Sequence, residues 1–419
     1  MTSRAQAVIG AGYGDEGKGR MVDVIAHGLG AGTVVVRSNG GAQAGHSVVT
    51  PDGYAHVFHH LGSGALGGAT THLSRFMVSQ PMMLVEELRA VAALGGTVAI
   101  TADPRGFVTT PWDMMANQAV EVARGAGRHG SCGLGFGETV GRCEETGFAL
   151  TVADLARCDL RERLIAIRDA WLPARLAALG VAEGGAGGEF LVAARSDRLL
   201  ERYLADCGDY LEFVAMRPDG DLGAAAHVLF EGAQGLMLDQ QHRDFPFVTR
   251  SNTGIVNMVA IAAEAGIDRI DAHYMTRCYV TRHGRGPMVD ERDIGGFFAV
   301  VDPTNGPNSW QETIRTGLLD VAVLAATIRS DLALAPGSGV EVVHHLGISC
   351  MDQAIGGEAT FIDGGRVSQL EVGSFAEFLR DRVGAATIAA SFGPTRSSIP
   401  NPLPLAGEGK TPQAARVRA

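Results

Sequence analysis

No apolar run in the 419 residues reaches the roughly 18 positions that a membrane-spanning helix needs. Met1 to Gln6 pass directly into the strand-like AVIGAG, without the charged start and apolar centre of a signal peptide, so the expectation is a cytoplasmic protein. A basic surplus is missing too. Lys and Arg number 35 against 46 Asp and Glu, for a net charge of −11, which argues against gripping a nucleic-acid backbone. The six cysteines form no CxxC pair, which excludes a zinc knuckle and a secreted disulfide framework and leaves reduced thiols as the default. No internal repeat and no dividing linker is present, so residues 1–398 read as one catalytic unit. Residues 399–419, rich in Pro, Gly and basic side chains, read as a flexible tail.

What the chain has in quantity is glycine. Its 57 glycines gather at Gly10 to Gly19, Gly40 to Gly45 and Gly130 to Gly137, where backbone is free to approach a ligand closely. Between them the pattern alternates. Strand-like Gln6 to Gly10 leads through GYGDEGKG into helical RMVDVIAHGL and then β-branched Thr33 to Arg37, which together make a βαβ unit. An apolar run near Phe58, a helical stretch Pro81 to Leu94 and strand-like Thr97 to Ala102 continue the alternation. Helical spacing over Thr151 to Leu179 starts with Thr151 and Asp154 placed as a helix start, a strand follows in HVLFEG, and TGLLDVAVLAATIRS has the period of an amphipathic helix. The expected fold is α/β: a P-loop-like mixed, mostly parallel central sheet flanked by helices, with helical and loop insertions.

Gly12-Tyr-Gly-Asp-Glu-Gly-Lys18-Gly19 has the GxxxxGK spacing of a phosphate loop between strand and helix. Its N–H groups and helix N-terminus suit phosphate oxygens, and Lys18 neutralises them. The Ser or Thr that normally follows the lysine and holds Mg²⁺ is replaced by Gly19, so the metal needs another ligand. Asp15 is the candidate within the loop.

GDEGKG resembles the signature loop of adenylosuccinate synthetases. Three further segments resemble that family in the expected order: VVRSNGGAQAGH (Val35 to His46), FEGAQGLMLDQQH with FPFVTRSNT (Phe230 to Thr253), and TRHGRGP (Thr281 to Pro287). The resemblance implies a GTP-dependent ligase that joins L-aspartate to C6 of a 6-oxopurine nucleotide through a 6-phosphoryl intermediate. Asp15 would take the proton from purine N1, while His46 and Lys18 would stabilise the transferring phosphate. GTP would be held by Gly14, Glu16, Gly17, Lys18 and Gly19. SCMD and SFGP, through Asp352, Ser391 and Gly393, resemble the elements that read its guanine. Mg²⁺ would be bound by Asp15 and the Gly45 carbonyl. Gln234 would face the acceptor purine and Thr249 its 5′-phosphate.

Departures from the family pattern lie in the acceptor and aspartate regions and at one position beside the guanine. Gln43 stands for the usual Asn, Ser131-Cys132 for a Thr-Thr pair, and Cys350 for a lysine over the guanine. The arginine-rich aspartate loop is replaced by DPTNGPNSWQETIR, where Arg315 is the expected carboxylate clamp with Thr304 and Asn305 as supporting donors. Arg142 is the expected substitute for the basic residue that a neighbouring subunit contributes in the family's homodimer. The first reading is IMP to adenylosuccinate, because Asp15 is retained. The alternative is dGMP to 2-amino-2′-deoxyadenylosuccinate, as in a phage-associated offshoot whose loop aspartate is serine; such a protein would work in the host cytoplasm. A GTP switch without catalysis is a third reading, which would leave His46 and the second nucleotide pocket without a task.

Overall fold

The computed structural model describes residues 3–93, 98–301 and 314–399. Its centre is a nine-stranded sheet in the order Ile388–Ala390, Glu341–Ser349, Arg269–Arg277, Arg4–Gly10, His227–Glu231, Thr33–Arg37, Thr70–Leu73, Ile100–Ala102 and Val214–Met216. Every pairing in that sheet is parallel. Antiparallel pairs are confined to the hairpin His46–Val49 with Ala55–Phe58 and to a four-stranded sheet of Tyr279–Arg282, Arg315–Asp320, Glu358–Asp363 and Arg366–Glu371. The expected α/β fold is therefore present, and its mixed character sits in the side sheets.

Both faces of the central strands are covered, and RAQAVIG and TVVVR are accordingly buried on both faces apart from Arg4 and Val34, with Gln6, Thr33 and Arg37 as buried polar members. On one face the helix Lys18–Leu29 packs Met21, Val22 and Ile25 against Val8, Val35 and Leu229. Phe230, Tyr274, Met258 and Ile328 belong to a large core of buried apolar residues, and Trp112, Leu164, Tyr203 and Tyr210 to a second. Among the described residues no helix is long and apolar enough to cross a membrane.

Two expected helices differ. The segment read as a helix from Thr316 is a strand to Asp320, with Leu318 and Leu319 buried, and the helix begins only at Val321. Pairing with both Tyr279–Arg282 and Glu358–Asp363 overrides the helical period. Asp320 then caps the helix, its carboxylate accepting from Ala322 N at 2.9 Å and Val323 N at 3.1 Å. The Thr151 to Leu179 stretch is broken into a 3₁₀ turn Ala153–Ala156, helices Leu160–Ala166 and Leu172–Ala178, and a π-helical turn Ile167–Trp171 between them. Pro173 has no N–H to continue an ordinary ladder at that junction. The start signal does act locally, because Thr151 donates N–H and hydroxyl to Asp154 at 2.9 and 2.8 Å.

Candidate active site

Six adjacent strands of the main sheet deliver the sequence motifs to one edge, at their carboxyl ends. In sheet order these are SFGP, SCMD, TRHGRGP by way of Tyr279–Arg282, the phosphate loop, EGAQG and RSNGGAQAGH. Open parallel sheets bind ligands at this edge. The phosphate loop lies in the middle, with the guanine-reading motifs on one side and the acceptor motifs on the other.

Within that loop Gly14 has φ 100° and Asp15 φ 61°. Glycine adopts such backbone freely, whereas a non-glycine residue there is strained and persists only when its surroundings hold it. Gly10 meets a different demand. A Cβ there would stand 2.7 Å from the Gln234 carbonyl and 2.8 Å from Lys18 Nζ, so only glycine lets the two loops touch. The Glu16 side chain turns inward: it accepts from Gly12 N at 3.0 Å and Gly14 N at 2.7 Å and pairs with buried Lys18 at 2.6 Å. A carboxylate thus occupies N–H groups and an ammonium of the kind that hold phosphate, and an arriving phosphate competes with it. The expected GTP contact from Glu16 is corrected to this internal one for its side chain.

His46 is buried and its Nδ1 lies 2.5 Å from Glu231 Oε1. Glu231 also accepts from Ser63 N at 2.9 Å and Ser63 Oγ at 2.5 Å. Burial raises the Glu231 pKa, but the charges of His46 and Arg37 and the hydrogen bonds from His46 and Ser63 outweigh it and bring the carboxyl down to about 2. Burial lowers the His46 pKa from 6.5 more than Glu231 raises it. His46 Nε2 is enclosed and has no hydrogen-bond partner among the described residues. Nδ1 is committed to a carboxylate, so Nε2 is the atom left for a substrate. Glu231 is the final residue of its strand within the quoted FEGAQG, and its position at a carboxyl end was the signal that could have marked it.

Asp15 is held from two directions. Its carboxylate Oδ2 lies 2.9 Å from His283 Nε2, and its backbone carbonyl accepts from Arg277 Nε at 2.5 Å. Burial raises its pKa, yet His283, Arg277 and Lys18 together lower it below 3.8. Asp15 is therefore ionised at neutral pH. Among the described residues no three His, Cys, Asp or Glu side chains gather as a metal cluster. An ionised loop carboxylate beside a phosphate cradle nevertheless suits Mg²⁺, which takes few protein ligands and completes its shell with phosphate oxygens and water.

The acceptor-side residues converge in part. Asn39 joins the two glycine loops, donating to the Ala233 carbonyl at 3.0 Å and accepting from Ala233 N at 2.7 Å. His59 Nδ1 lies 2.9 and 2.8 Å from the carbonyls of Ala42 and Ala44, fixing the turn that carries Gln43 and Gly45. Both carboxamide atoms of Gln43 are enclosed without a partner among the described residues. Native proteins rarely leave such atoms orphaned, so this one is a natural ligand contact. Gln234, at φ 64°, stands over Gly10. Ser131 exchanges hydrogen bonds with Asn117 at 2.8 and 3.1 Å, while burial raises the Cys132 thiol, which stays protonated and unreactive. The 128–133 loop reaches the TRHGRGP loop through Arg285 N to the His129 carbonyl, and Thr249 N is tied to the Leu238 carbonyl at 2.9 Å.

Arg142 does not join them. It is fully buried, bidentate to Asp113 at 2.8 Å on both nitrogens, and donates also to the carbonyls of Val108 and Phe148. A guanidinium so used is a core staple and has no fork left for a nucleotide. Arg315 is likewise occupied: Nη2 donates to the carbonyls of Gly284 and Gly286 at 3.0 and 2.9 Å, and Nη1 pairs with Glu291 at 2.7 Å. Thr304 and Asn305 lie outside the described residues. On the guanine side Asp352 is exposed on a 3₁₀ turn, and Met351 N to the Ser391 carbonyl, at 3.1 Å, brings SCMD beside SFGP. Ser391 is buried with its hydroxyl on the Gly393 carbonyl at 3.2 Å.

The sequence model of the adenylosuccinate synthetase family matches residues 7–333. The adenylosuccinate synthetase of Anaeromyxobacter sp. (strain Fw109-5) is 32% identical over 375 residues, covering 85% of this chain and 79% of that protein. The fully ligated adenylosuccinate synthetase from Plasmodium falciparum superposes with a TM-score of 0.70 at 15% identity, covering 95% of this chain and 99% of that one. The cyanophage S-2L succinoaminodeoxyadenylate synthetase, solved with dGMP and with dATP as an energy donor, superposes with a TM-score of 0.60 at 16% identity over 96% of each chain. These two likenesses are of fold.

Proposed function

The chain belongs to the adenylosuccinate synthetase family and is a carbon–nitrogen ligase of that type, and from that premise we propose that it joins L-aspartate to C6 of IMP at the expense of GTP. The observation that carries this reading is the pair of acid–base groups around one phosphate loop: ionised Asp15 inside it, and His46, backed by Glu231, with a free Nε2. In the proposed reaction Asp15 accepts the N1 proton of the purine, and O6 attacks the γ-phosphate of GTP, breaking its bond to the β,γ-bridging oxygen and releasing GDP. Phosphorylated O6 is then a leaving group that the aspartate amine displaces. Glu231 keeps a proton on His46 Nδ1, so Nε2 carries hydrogen only in the imidazolium form. A nearby phosphate favours that form, and with Lys18 it spreads the charge of the transferring group. Asp15 and the Gly45 carbonyl would hold Mg²⁺, which when bound supplies further neutralisation of the phosphates.

Asp352 would accept from two donors of guanine and so favour GTP over ATP. Aspartate would be met by Arg315, once its clasp on the Gly284 and Gly286 carbonyls is exchanged for carboxylates. The dGMP reading is favoured by Gln43 and Ser131-Cys132 at acceptor positions where the family has other residues. A panel of IMP, GMP and dGMP with aspartate and either GTP or ATP, followed by phosphate release and product mass, separates the readings. IMP with GTP should give the highest kcat/KM. Product from dGMP but not IMP would overturn the acceptor, ATP as the equal of GTP would remove the role of Asp352, and no aspartate-dependent turnover would defeat the ligase reading for this chain.

A further inference from the structure

The Asp15 carboxylate has a partner from outside the phosphate loop. His283 belongs to TRHGRGP, on a loop that follows the strand Tyr279–Arg282, and its Nε2 reaches across the cleft to within 2.9 Å of Asp15 Oδ2. The side chains of His283 and Asp15 are 23% and 26% exposed, while the His283 ring nitrogens themselves are enclosed.

The loop that presents His283 is braced with unusual thoroughness. Arg315 Nη2 holds the Gly284 and Gly286 carbonyls, and Arg282 donates to the carbonyls of Phe247 at 2.6 Å, Arg285 at 3.1 Å and Pro287 at 2.5 Å. The Arg282 guanidinium lies 4.8 Å from the ring centroid of Tyr13, itself a phosphate-loop residue, and the Tyr13 hydroxyl accepts from Val289 N at 3.0 Å. Two arginines and a tyrosine therefore lock the His283 loop onto the loop that carries Asp15. The opposite end of Asp15 is fixed by Arg277 on its carbonyl, at a backbone angle of φ 61° that needs outside support.

We propose that His283 is a positioning residue for Asp15: its N–H donates to one carboxylate oxygen and sets the direction in which the carboxylate meets the acceptor purine. The inference rests on the ligase reading above and deepens it, by assigning to this loop the alignment of the proton-accepting group. A group aligned in this way speeds the chemical step without adding binding energy, so its loss lowers kcat and leaves KM nearly alone.

The test compares His283→Ala, which removes the donor, with His283→Gln, which keeps an N–H of similar reach. The readouts are kcat, the KM values for GTP, IMP and aspartate, and scrambling of the β,γ-bridge oxygen of labelled GTP with IMP present and aspartate absent. Scrambling reports the first half-reaction alone. His283→Ala should lower kcat and scrambling together by about tenfold or more, with KM values within about threefold, and His283→Gln should recover most of the loss. Unchanged kcat in His283→Ala overturns the proposal, as does an equal loss in both variants or a loss confined to the KM for aspartate. If His283→Ala does not fold, His283→Leu, which also lacks a donor, takes its place under the same outcomes. The pair itself is read without turnover, from the ¹⁵N resonances of the His283 imidazole in native protein and in Asp15→Asn. Resonances that do not move overturn the pair. Resonances that move in a protein with no aspartate-dependent turnover overturn the ligase reading, and with it the assigned task, while the pair stands.

Discussion

His46 and His283 each lie within hydrogen-bond distance of a carboxylate, at 2.5 Å from Glu231 and 2.9 Å from Asp15, but the two pairs are built in opposite senses. In the first the carboxylate is fully buried at the end of a central strand and holds Nδ1 of an imidazole whose Nε2 is enclosed, so on the proposed mechanism the acid orients and the histidine acts. In the second the carboxylate sits on the phosphate loop and the imidazole comes from a side-sheet loop, so on the proposed mechanism the histidine orients and the acid acts. Burial decides which is the stiffer. Glu231 is held by Ser63, His46 and the nearby charge of Arg37 in a dry interior, whereas the Asp15 pair is partly open to solvent and depends on the bracing of its loop. The proposed reaction would thus draw on a rigid pair and on an adjustable one.

The largest expected effects come from removing the acting member of each pair. Asp15→Asn and His46→Ala should each reduce kcat by about a hundredfold or more, with little change in Tm. Phosphate release and calorimetry check this, and near-normal turnover in folded Asp15→Asn would end the proposed mechanism. The orienting acid comes next. Glu231→Gln should lower kcat by about tenfold or more, and the double variant with His46→Ala should be no slower than His46→Ala alone, because the acid acts through the histidine. Additive losses would mean that Glu231 has a separate task.

A smaller effect is expected from the brace of the open pair. Arg315→Lys keeps the charge but loses the fork, and should raise the KM for aspartate several-fold, roughly 1 kcal/mol, while the KM for GTP stays put. An unchanged aspartate KM would leave Arg315 with bracing alone. The mildest probe is pH. His46 has a folded pKa below 6.5, so the unfolded chain binds its proton first and stability falls as pH drops below that value. Glu231 has a folded pKa of about 2 against 4.5, so the stability from its ionised form is present above 4.5 and is lost as pH falls toward 2. Calorimetry at pH 7, 5 and 3 should show the Tm advantage of native protein over Glu231→Gln shrinking only in the last interval. A constant difference would mean that the carboxylate is not held in its ionised form.

Much of this site was legible because its chemistry is local. A phosphate loop needs its glycines, its lysine and its strand-to-helix setting within about ten residues, so Gly12 to Gly19 declares itself, and His46 stands in a similar glycine-rich run. Glu231 and His283 lie inside quoted motifs, but their tasks depend on residues 185 and 268 positions away, Glu231 on His46 and His283 on Asp15. Arg142 and Arg315 show the reverse. Charge and approximate position suggested ligand contacts but not their protein partners, which are Asp113 for Arg142 and the Gly284 and Gly286 carbonyls for Arg315. The helix expected from Thr316 fails for the same reason, since two neighbouring strands claim Arg315 to Asp320.

By itself the sequence determined the βαβ opening, the mostly parallel character of the sheet and the strand-to-helix setting of the glycine loop that ends in Lys18. Each follows from short-range rules: apolar runs of strand length, glycines where backbone must approach, and a lysine at the start of a helix. The tertiary structure alone decided which carboxylate lies against which histidine and which protein groups Arg142 and Arg315 hold. Those outcomes depend on the order in which the central strands pair, and no local pattern carries that order, because a parallel sheet joins strands distant in the chain through crossovers.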